Sequence, residues 1–292
     1  FKNLPRVEKN QLLGINSRNR NLVYKHNKKH LLRLAADKLA SKKALKEHDI
    51  PVPETLLIIE NQHQLNQFES ALSNLNSFVI KPNNGSQGKG ILVIKNHSEE
   101  FISASGKSYK IEDLNKHIKD ILIGHHSQSG DQDSAYLEPL IEQDHRLNRI
   151  CDLGLSDIRV ILGRGKIISA MLRMPTKHSS GKANLHQGAI GIAIDIETGR
   201  SLRAIYQGKS IDKHPDSQAN LIDIQIPYWS QIKTMSIASF QAIPLGYLGV
   251  DVCLCQQQGP LILEVNGRAG LEIQNIQQQG FSNKLFDAVE NS

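Results

Sequence analysis

Cysteine is scarce in this chain, with only three among 292 residues. An odd and small number argues against a disulfide framework, and a structural zinc site would need four well-spaced ligands. Cys253 and Cys255 lie two apart in a strand-like run, which places both on one side of a sheet as buried thiols. The twelve histidines show no metal-binding spacing either. The sequence therefore predicts a reducing, cytoplasmic setting.

Long hydrophobic runs are also absent. No apolar stretch approaches the roughly 20 residues that span a bilayer, and residues 1–5 do not have the apolar core of a secretory signal. With 39% apolar and 22% charged residues, the composition is that of a globular chain rather than a disordered one. We therefore expect one large or two modest domains and no membrane partner.

Positive charge is concentrated at one end of the chain. The formal net charge is +6, but residues 1–46 contain thirteen basic and two acidic side chains, which leaves −5 for the remainder. A nucleic-acid partner is not favoured, because it would require basic residues clustered over a working face. The stretch from Arg18 to Arg33 holds six cations and no acid. It is either an entrance that attracts an acidic ligand or a solvated face.

The spacing of apolar residues predicts both helices and strands. Helices are predicted over 35–48, 62–75, 112–123 and about 229–241. Strands are predicted over 55–59, 78–81, 91–94, 136–141, 157–163, 166–173, 189–195, 247–255 and 260–266. Turns rather than helices separate most strands, which indicates an α+β fold with antiparallel sheets. Residues 124–134 have the composition of a loop and are the segment most prone to disorder.

The strongest local signal is a glycine-rich turn that joins the predicted strands 78–81 and 91–94. It reads Lys81-Pro82-Asn83-Asn84-Gly85-Ser86-Gln87-Gly88-Lys89-Gly90. Glycines let the backbone approach a ligand and turn its amides toward an anion, and Lys81 and Lys89 add two cations. The spacing is neither that of a P-loop nor that of the dinucleotide fingerprint. It predicts a phosphate-binding hairpin, with a mobile surface loop as the alternative.

A second signal lies in the last two predicted strands. Glu264 and Asn266 are two apart, so their oxygens emerge on one face, and Asp251 on the neighbouring strand can join them. Oxygen ligands on rigid strands suit Mg²⁺, which keeps waters and accepts substrate phosphates. Carboxylates on an exposed sheet face are the alternative. Arg268 follows this strand and is placed to neutralise a transferring phosphoryl group.

Between the two signals, other polar residues interrupt apolar strands and a glycine-bounded loop. Arg159 and Arg173 fall in strands whose other side is apolar, and strand arginines are commonly surface residues. The loop at 181–188 contains Lys182, Asn184 and His186 between glycines. This loop is compatible with a clamp that faces a substrate.

In their order and spacing, these motifs resemble an ATP-grasp enzyme of the alpha-L-glutamate ligase-like group, which is related to the ribosomal-protein glutamate ligases. The resemblance covers nearly the whole chain. Its motifs are 13–19, 37–39 with 50–53, 81–90, 156–159, 182–188, 247–251 and 263–268. Two residues depart from the pattern: Ala269 stands where the family often has proline, and Asp49 stands where glycine commonly ends the first helix.

The resemblance implies two α+β lobes, with mostly antiparallel sheets, that hold ATP between them. It divides the chain into a basic helical segment at 1–50, a lid lobe at 51–136 with the glycine-rich hairpin, and a metal-binding core lobe at 137–292. The nucleotide contacts that it implies are Lys38, Lys81, the lid residues Gly85, Ser86, Gln87, Gly88, Lys89 and Gly90, the hinge Glu138, Pro139, Leu140 and Ile141, and Asp144 at the ribose.

The resemblance also implies a metal and an acceptor site. Asp251, Glu264 and Asn266 would hold two Mg²⁺ ions, with Mn²⁺ as the alternative metal. Catalytic contacts to the transferred phosphate or the acceptor carboxylate would come from Arg173, Asn184 and Arg268.

The activity implied by the resemblance is ATP-dependent carboxylate–amine ligation through an acylphosphate. It would add glutamate or another amino acid to a peptide, protein or small acceptor that bears a carboxylate, and acidic peptides and proteins are among these acceptors. Two alternatives stay open. One is an ATP-grasp phosphoryl transferase, and the other is a non-catalytic module that binds a nucleotide or a nucleic acid.

Overall fold

The computed structural model describes residues 11–72, 75–85, 88–97, 100–127 and 130–290. These residues form two compact units. The first unit comprises the described residues up to Val52 and those from Glu142 onward, and the second runs from Pro53 to Ile141. No helix among the described residues is long and apolar enough to cross a membrane.

Short helices occur in both units. In chain order they are α1 (Lys29–Ala36), α2 (Lys38–Lys46), α3 (Leu65–Leu72), α4 (Ile111–Leu122), α5 (His145–Asn148), α6 (Trp229–Ala242), α7 (Glu272–Gln277) and α8 (Ser282–Glu290). Three short helical pieces precede α1, at Ile15–Ser17, Arg18–Val23 and Tyr24–His26. Single 3₁₀ turns lie at Gln62–Gln64 and Leu185–Gln187.

The strands form one antiparallel sheet in each unit. They are β1 (Leu57–Ile59), β2 (Phe78–Pro82), β3 (Leu92–His97), β4 (Phe101–Ser103), β5 (Ser108–Tyr109), β6 (Ala135–Pro139), β7 (Asp157–Gly163), β8 (Lys166–Met174), β9 (Ile190–Ile194), β10 (Ser201–Tyr206), β11 (Lys209–Ile211), β12 (Tyr247–Cys255) and β13 (Gly259–Asn266). The order is β1-β6-β2-β3-β4-β5 in the second unit and β11-β10-β9-β8-β7-β12-β13 in the first. The predicted α+β fold with antiparallel sheets is confirmed.

The sheet of the first unit is covered on both faces, as alternation along β7 shows. Ile158 and Val160 point to one side, where they join the apolar cluster that includes residues of α1, α2 and α6. Ile161 points to the other side, into a cluster that includes residues of α7 and α8. Asp157 and Arg159 share this second side, so the sheet carries charge beside an apolar core.

The start predicted for the helix over 35–48 is wrong. Helix α1 ends at Ala36, and Asp37 adopts extended backbone with φ −82° and ψ 106°. The Asp37 carboxylate accepts a hydrogen bond from the backbone N–H of Ala40 at 2.8 Å, so it caps the separate helix α2. The apolar spacing continues through this break, which is why periodicity alone did not reveal it.

The end of α2 is closed by a Schellman motif. The N–H of Ile50 donates to the carbonyl of Leu45 at 3.1 Å, and the N–H of Asp49 donates to that of Lys46 at 3.0 Å. Asp49 has a φ of +56°, the left-handed conformation that glycine adopts without strain. Leu45 and Ile50 are both buried in the apolar cluster that also contains residues of α1 and α6, and an apolar pair at these two positions commonly accompanies the motif.

Replacing Asp49 with glycine is expected to raise the free energy of unfolding by about 0.5 kcal/mol. The relief of left-handed strain is partly offset by the greater freedom of glycine in the unfolded chain. Asp49→Ala, which keeps a Cβ and loses the polar side chain, is expected to lower the same free energy. Urea unfolding of the three proteins measures both changes, and a loss of stability in Asp49→Gly would contradict the motif.

Candidate functional site

Four neighbouring strands of the first unit carry a patch of charged side chains on one face. The register places Arg173 of β8 opposite Asp157 of β7. It places Arg159 of β7 opposite Asp251 of β12, and Asp251 opposite Glu264 of β13. Three sequence-predicted residues, Arg173, Asp251 and Glu264, are therefore brought together by strand pairing. We call these five residues the charged patch.

Both carboxylate oxygens of Asp251 are bound by arginine. The Nε of Arg159 donates to Oδ1 at 2.6 Å, and Nη2 of Arg173 donates to Oδ2 at 2.8 Å. Arg173 also holds Asp157 through two parallel bonds, Nε to Oδ1 at 2.5 Å and Nη2 to Oδ2 at 2.8 Å. Such bidentate pairs fix the planes of both partners, so the arginines orient Asp251 and hold the patch rigid.

Burial and arginine act in opposite directions on the two aspartates. Burial disfavours the charged form of Asp251, but the guanidinium groups of Arg159 and Arg173 outweigh it and hold its pKa below the usual range. Burial raises the pKa of Asp157 to about 6, against the opposing charge of Arg173. At neutral pH the patch therefore keeps Asp251 ionised.

Glu264 and Asn266 form the open edge of the patch. The side chain of Glu264 is 36% exposed, and Asn266 donates from Nδ2 to its Oε1 at 2.9 Å. That bond turns the amide nitrogen toward Glu264 and leaves the amide oxygen of Asn266 as a ligand atom. Within the described residues no group of three or more His, Cys, Asp or Glu could hold a metal. The oxygens of Glu264 and Asn266 suit Mg²⁺, which draws further ligands from water and phosphates, whereas Asp251 would have to give up a bond to arginine in order to bind the ion.

The turn after β13 is tied to the basic N-terminal segment. Arg18 donates from Nη1 to the carbonyl of Arg268 at 3.1 Å and to that of Ala269 at 2.8 Å. Asn27 is buried and donates from Nδ2 to the carbonyl of Gly267 at 3.0 Å. The side chain of Arg268 itself is exposed. Part of the basic stretch thus positions the backbone next to the predicted metal ligands.

Two further predicted residues of the first unit act as caps. Asn184 accepts from the N–H of His186 at 3.0 Å and begins the 3₁₀ turn at Leu185. Asp144 is buried and caps α5, and it accepts from Nε and Nη2 of Arg146 at 2.9 and 2.7 Å. The hydrogen bonds from Arg146 hold the pKa of Asp144 below its usual range. Lys38 is the half-buried first residue of α2.

In the second unit, two predicted nucleotide residues pair with each other. Lys81 of β2 donates from Nζ to Oε2 of Glu138 on the neighbouring strand β6. The Glu138 side chain is 2% exposed and that of Lys81 is 17% exposed. Pro139 ends β6, and half-buried Leu140 and Ile141 follow it. The ion pair fixes Lys81 at the point where the glycine-rich turn begins.

The glycine-rich turn is held at both ends. The backbone N–H of Asn84 donates to Oδ1 and Oδ2 of Asp133 at 3.0 Å, and Nδ2 of Asn84 donates to Oδ1 at 2.9 Å. At the far end, Nε2 of His117 lies 2.9 Å from the carbonyl oxygen of Gly90. Because a carbonyl only accepts, Nε2 carries a proton, and burial lowers the pKa of His117, which favours the neutral ring. Ser86 and Gln87 lie outside the described residues.

Gly90 is required where it stands. Its φ is +75°, and a Cβ there would lie 2.6 Å from the ring of His126. Gly88 is also left-handed, with a φ of +72°, and exposed Lys89 lies between them. Gly88 and Gly90 therefore have the left-handed backbone that favours glycine, which agrees with the phosphate-binding interpretation of the turn.

The chain matches the model of a known protein family. The model of the sugar-transfer associated ATP-grasp family matches residues 17–291. The chain belongs to this ATP-grasp family. The resemblance seen in the sequence is confirmed at the level of the ATP-grasp superfamily, whereas the glutamate ligase-like group is not the family that matches. No curated protein matches the chain.

Solved structures of the same fold are distant in sequence. The chain is similar to biotin carboxylase from Campylobacter jejuni, solved as a complex with β-γ-ATP, at 14% identity and a TM-score of 0.55, with 90% of this chain and 47% of that one covered. It is similar to D-alanyl-alanine synthetase A from Vibrio cholerae at 13% identity and 0.52, with 88% and 64% covered. The chain thus spans less than two thirds of these proteins.

Several residues of this ATP-grasp chain were not assigned to a site from the sequence. The sequence places Asp157 and Arg159 in a strand motif without a site role, although their spacing of two puts both side chains on one face of the strand. Asp133 lies in a segment predicted as a loop, and His117 lies in α4 without any local motif. Their contacts with the hairpin arise from tertiary packing, which no local pattern encodes.

Proposed function

We propose that the chain catalyses ATP-dependent carboxylate–amine ligation through an acylphosphate, with ADP as the nucleotide product. The observation that carries the proposal is the charged patch, in which two largely buried arginines present an ionised Asp251 beside the more exposed Glu264, with Asn266 next to it. Membership of the ATP-grasp family and the braced glycine-rich turn support it.

The proposed reaction has two steps. A substrate carboxylate oxygen attacks the γ-phosphorus of ATP, the bond to ADP breaks, and an acylphosphate forms. An amine nitrogen then attacks the acyl carbon, inorganic phosphate leaves, and the nitrogen loses a proton to give the amide. No protein nucleophile is needed, so the chain has to position the reactants and stabilise charge.

The proposed assignments follow from these needs. Lys38, Lys81 and the glycine-rich turn bind the nucleotide, and residues 138–141 meet the adenine. Asp144 at the ribose stays a prediction, since Arg146 already uses its carboxylate. Asp251, Glu264 and Asn266 would hold Mg²⁺, which when bound neutralises phosphate charge. Arg268 and Asn184 face the acceptor, and Arg173 acts on it through the orientation of Asp251.

The substrate proposal is an amino acid, with glutamate first, joined to an acceptor that bears a carboxylate or an amine. Acidic peptides and proteins are among the proposed acceptors. The family is described as sugar-transfer associated, so amino sugars and sugar acids belong among the candidates.

A screen of ADP release tests the proposal. Pairs of one amino acid and one acceptor, including acidic peptides and amino sugars, are mixed with ATP and Mg²⁺, and the products are analysed by mass. We expect ADP, phosphate and a product whose mass is the sum of the two substrates less one water. A stable phosphorylated acceptor would instead identify a phosphoryl transferase, and ATP binding without turnover across the screen would favour a nucleotide-binding module.

Lys81→Ala is expected to weaken ATP binding by about tenfold or more, because it removes a cation at the base of the glycine-rich turn. Lys95→Ala on β3 removes the same charge from an exposed position and serves as the control. Titration with a fluorescent ATP analogue measures both dissociation constants. Equal affinities for the two variants would reject the assignment of Lys81.

A further inference from the structure

Three histidine rings lie against one another in the second unit, next to the glycine-rich turn. His117 belongs to α4, and His125 and His126 lie in the turn that follows this helix. The ring centroids of His117 and His126 are 5.6 Å apart, and those of His125 and His126 are 5.5 Å apart with the ring planes at 14°. His117 and His126 are half-buried, and His125 is exposed. We call these three residues the histidine stack.

Two rings of the stack contact Gly90, at the second end of the glycine-rich turn. Nε2 of His117 donates to the carbonyl oxygen of Gly90 at 2.9 Å. The ring of His126 fills the space beside the Cα of Gly90, since a Cβ there would lie 2.6 Å from Cγ and 2.8 Å from Cδ2 of His126. The position of Gly90 therefore depends on both imidazoles, on one through a hydrogen bond and on the other through packing.

The first end of the turn is held by different chemistry. Asp133 accepts hydrogen bonds from the backbone N–H and from Nδ2 of Asn84, and Gly85 forms a β-bridge with Ser127. Histidine is the side chain whose charge ordinarily changes between about pH 5 and 8. The contacts at the second end are thus the ones that change character near neutral pH.

Burial favours the neutral form of His117. It is the main cause that lowers the pKa of this ring, and a charge on the neighbouring His126 lowers it further. The hydrogen bond to the carbonyl of Gly90 and the carboxylate of Asp120, also on α4, act in the opposite direction without cancelling the effect of burial. The pKa of His117 therefore lies below its usual value of about 6.5.

The surroundings of His126 have the same effect. Burial is again the largest cause of its lowered pKa, followed by a charge on His125. Asp120 and Asp133 act in the opposite direction and do not outweigh these causes. Lys89, at the same end of the turn, is a further cation and is exposed. Protonation of the stack therefore costs free energy, and the packing observed favours the neutral rings.

The sign of the pH dependence follows from these directions. A histidine that is released from the stack titrates near its usual value of about 6.5, whereas the packed rings titrate at lower pH. The released form therefore takes up protons more readily. The packed form is fully favoured above about pH 6.5 and loses its advantage as the pH falls through and below this value. Repulsion between two charged rings adds to the loss.

We propose that His117 and His126 are positioning residues for the glycine-rich turn: as neutral rings they hold Gly90 where the turn binds the phosphates of ATP, and their protonation releases it. The binding of ATP rests on the proposed function, whereas the docking of Gly90 on the stack does not. Nucleotide affinity should then fall in acid, although the added positive charge alone would attract phosphates more strongly. This sign separates a positioning role from a direct electrostatic one.

Titration of the intact chain with a fluorescent ATP analogue at about pH 7.5 and about pH 5.5, at fixed ionic strength and Mg²⁺ concentration, tests the proposal. His117→Leu removes the donor to Gly90 and should weaken binding by about fivefold at the higher pH. His117→Gln keeps an N–H that can donate and cannot be protonated in this range. It should restore most of the affinity that His117→Leu loses, and should lose less affinity in acid than the unmodified chain.

The matched control is His63→Gln, which removes an exposed histidine of the same unit outside the stack. Protonation of the analogue itself affects all proteins equally, so this variant should show the pH dependence of the unmodified chain. Equal losses in acid for His117→Gln and His63→Gln would overturn the proposal. Tighter binding by the unmodified chain in acid would overturn it as well, because the rings would then act on the phosphates as cations.

Nuclear magnetic resonance without nucleotide distinguishes a failure of the stack from a failure of the proposed function. The imidazole resonances that are missing from His117→Gln and from His126→Gln identify the two rings, and both should titrate below about pH 6.5. The amide resonance of Gly90 should move further in His117→Leu than in His117→Gln. If no protein binds the analogue, the proposed function fails, and these resonances alone decide on the stack. Titration at or above about pH 6.5, or equal shifts of Gly90 in the two variants, would overturn the positioning role in either case.

Discussion

Glu264→Ala is expected to lower Mg²⁺-dependent ADP release by about 100-fold or more and to leave the fold intact. The side chain of Glu264 is 36% exposed, accepts a hydrogen bond from Asn266 at 2.9 Å and lies 4.0 Å from Arg159, which keeps Asp251 as its main partner. Its removal therefore opens no buried cavity and strands no buried charge. We expect ADP release to fall because one of the two carboxylates proposed to hold Mg²⁺ is removed.

Two measurements separate this effect from damage to the structure. Thermal unfolding should give nearly the same melting temperature for Glu264→Ala and the unmodified chain. Titration with Mn²⁺ as a paramagnetic probe should show weaker metal binding, independent of turnover. Glu197→Ala, in an exposed turn after β9, removes the same side chain away from the patch and should change neither quantity. Unchanged ADP release in Glu264→Ala would reject the metal assignment.

Asp251→Asn is expected to destabilise the fold by about 3–5 kcal/mol as well as to abolish turnover. Removing this charge leaves the guanidinium groups of Arg159 and Arg173 without their shared carboxylate in a buried place. Breaking a buried ion pair by changing one partner costs far more than the net value of the pair, because the other charge stays buried.

The exposed pair Arg200–Asp223 provides the comparison. Its atoms are 2.7 Å apart, as close as those of the buried patch, but the side chains are 48% and 74% exposed. Asp223→Asn keeps the left-handed backbone that asparagine tolerates, and should cost less than about 1 kcal/mol. Chemical denaturation of both variants measures the contrast. Losses of equal size would show that Asp251 is not held in the buried network described here.

Much of the fold could be predicted because its signals are local. The alternation of apolar residues in 157–163 and 247–255 predicted β7 and β12 with the bounds that the structure has. Helices α7 and α8 and strands β10 and β11 were not predicted. Their segments are short and rich in polar residues, such as Glu-Ile-Gln-Asn-Ile-Gln in α7, and they gain stability from packing on the sheet rather than from their own pattern.

The candidate site, like the fold, could be predicted only where its signals are local. Spacing of two predicted that Glu264 and Asn266 share a face, and the structure joins them by a hydrogen bond. The burial of Arg159 and Arg173 could not be predicted, since strand arginines are commonly exposed. It depends on the register that sets Asp157 and Asp251 opposite them across three strands. Register is a property of the sheet as a whole, and no single segment of sequence encodes it.

The origin of the oxygen in the released phosphate tests the central claim most directly. Of the two substrates that pass the ADP-release screen, the one that supplies the carboxylate is labelled with ¹⁸O in that group and incubated with ATP, Mg²⁺ and the amine. If the reaction passes through an acylphosphate, the inorganic phosphate will carry one ¹⁸O atom for each amide formed. Unlabelled phosphate, or label found only in a stable phosphorylated acceptor, would contradict ligation by this route.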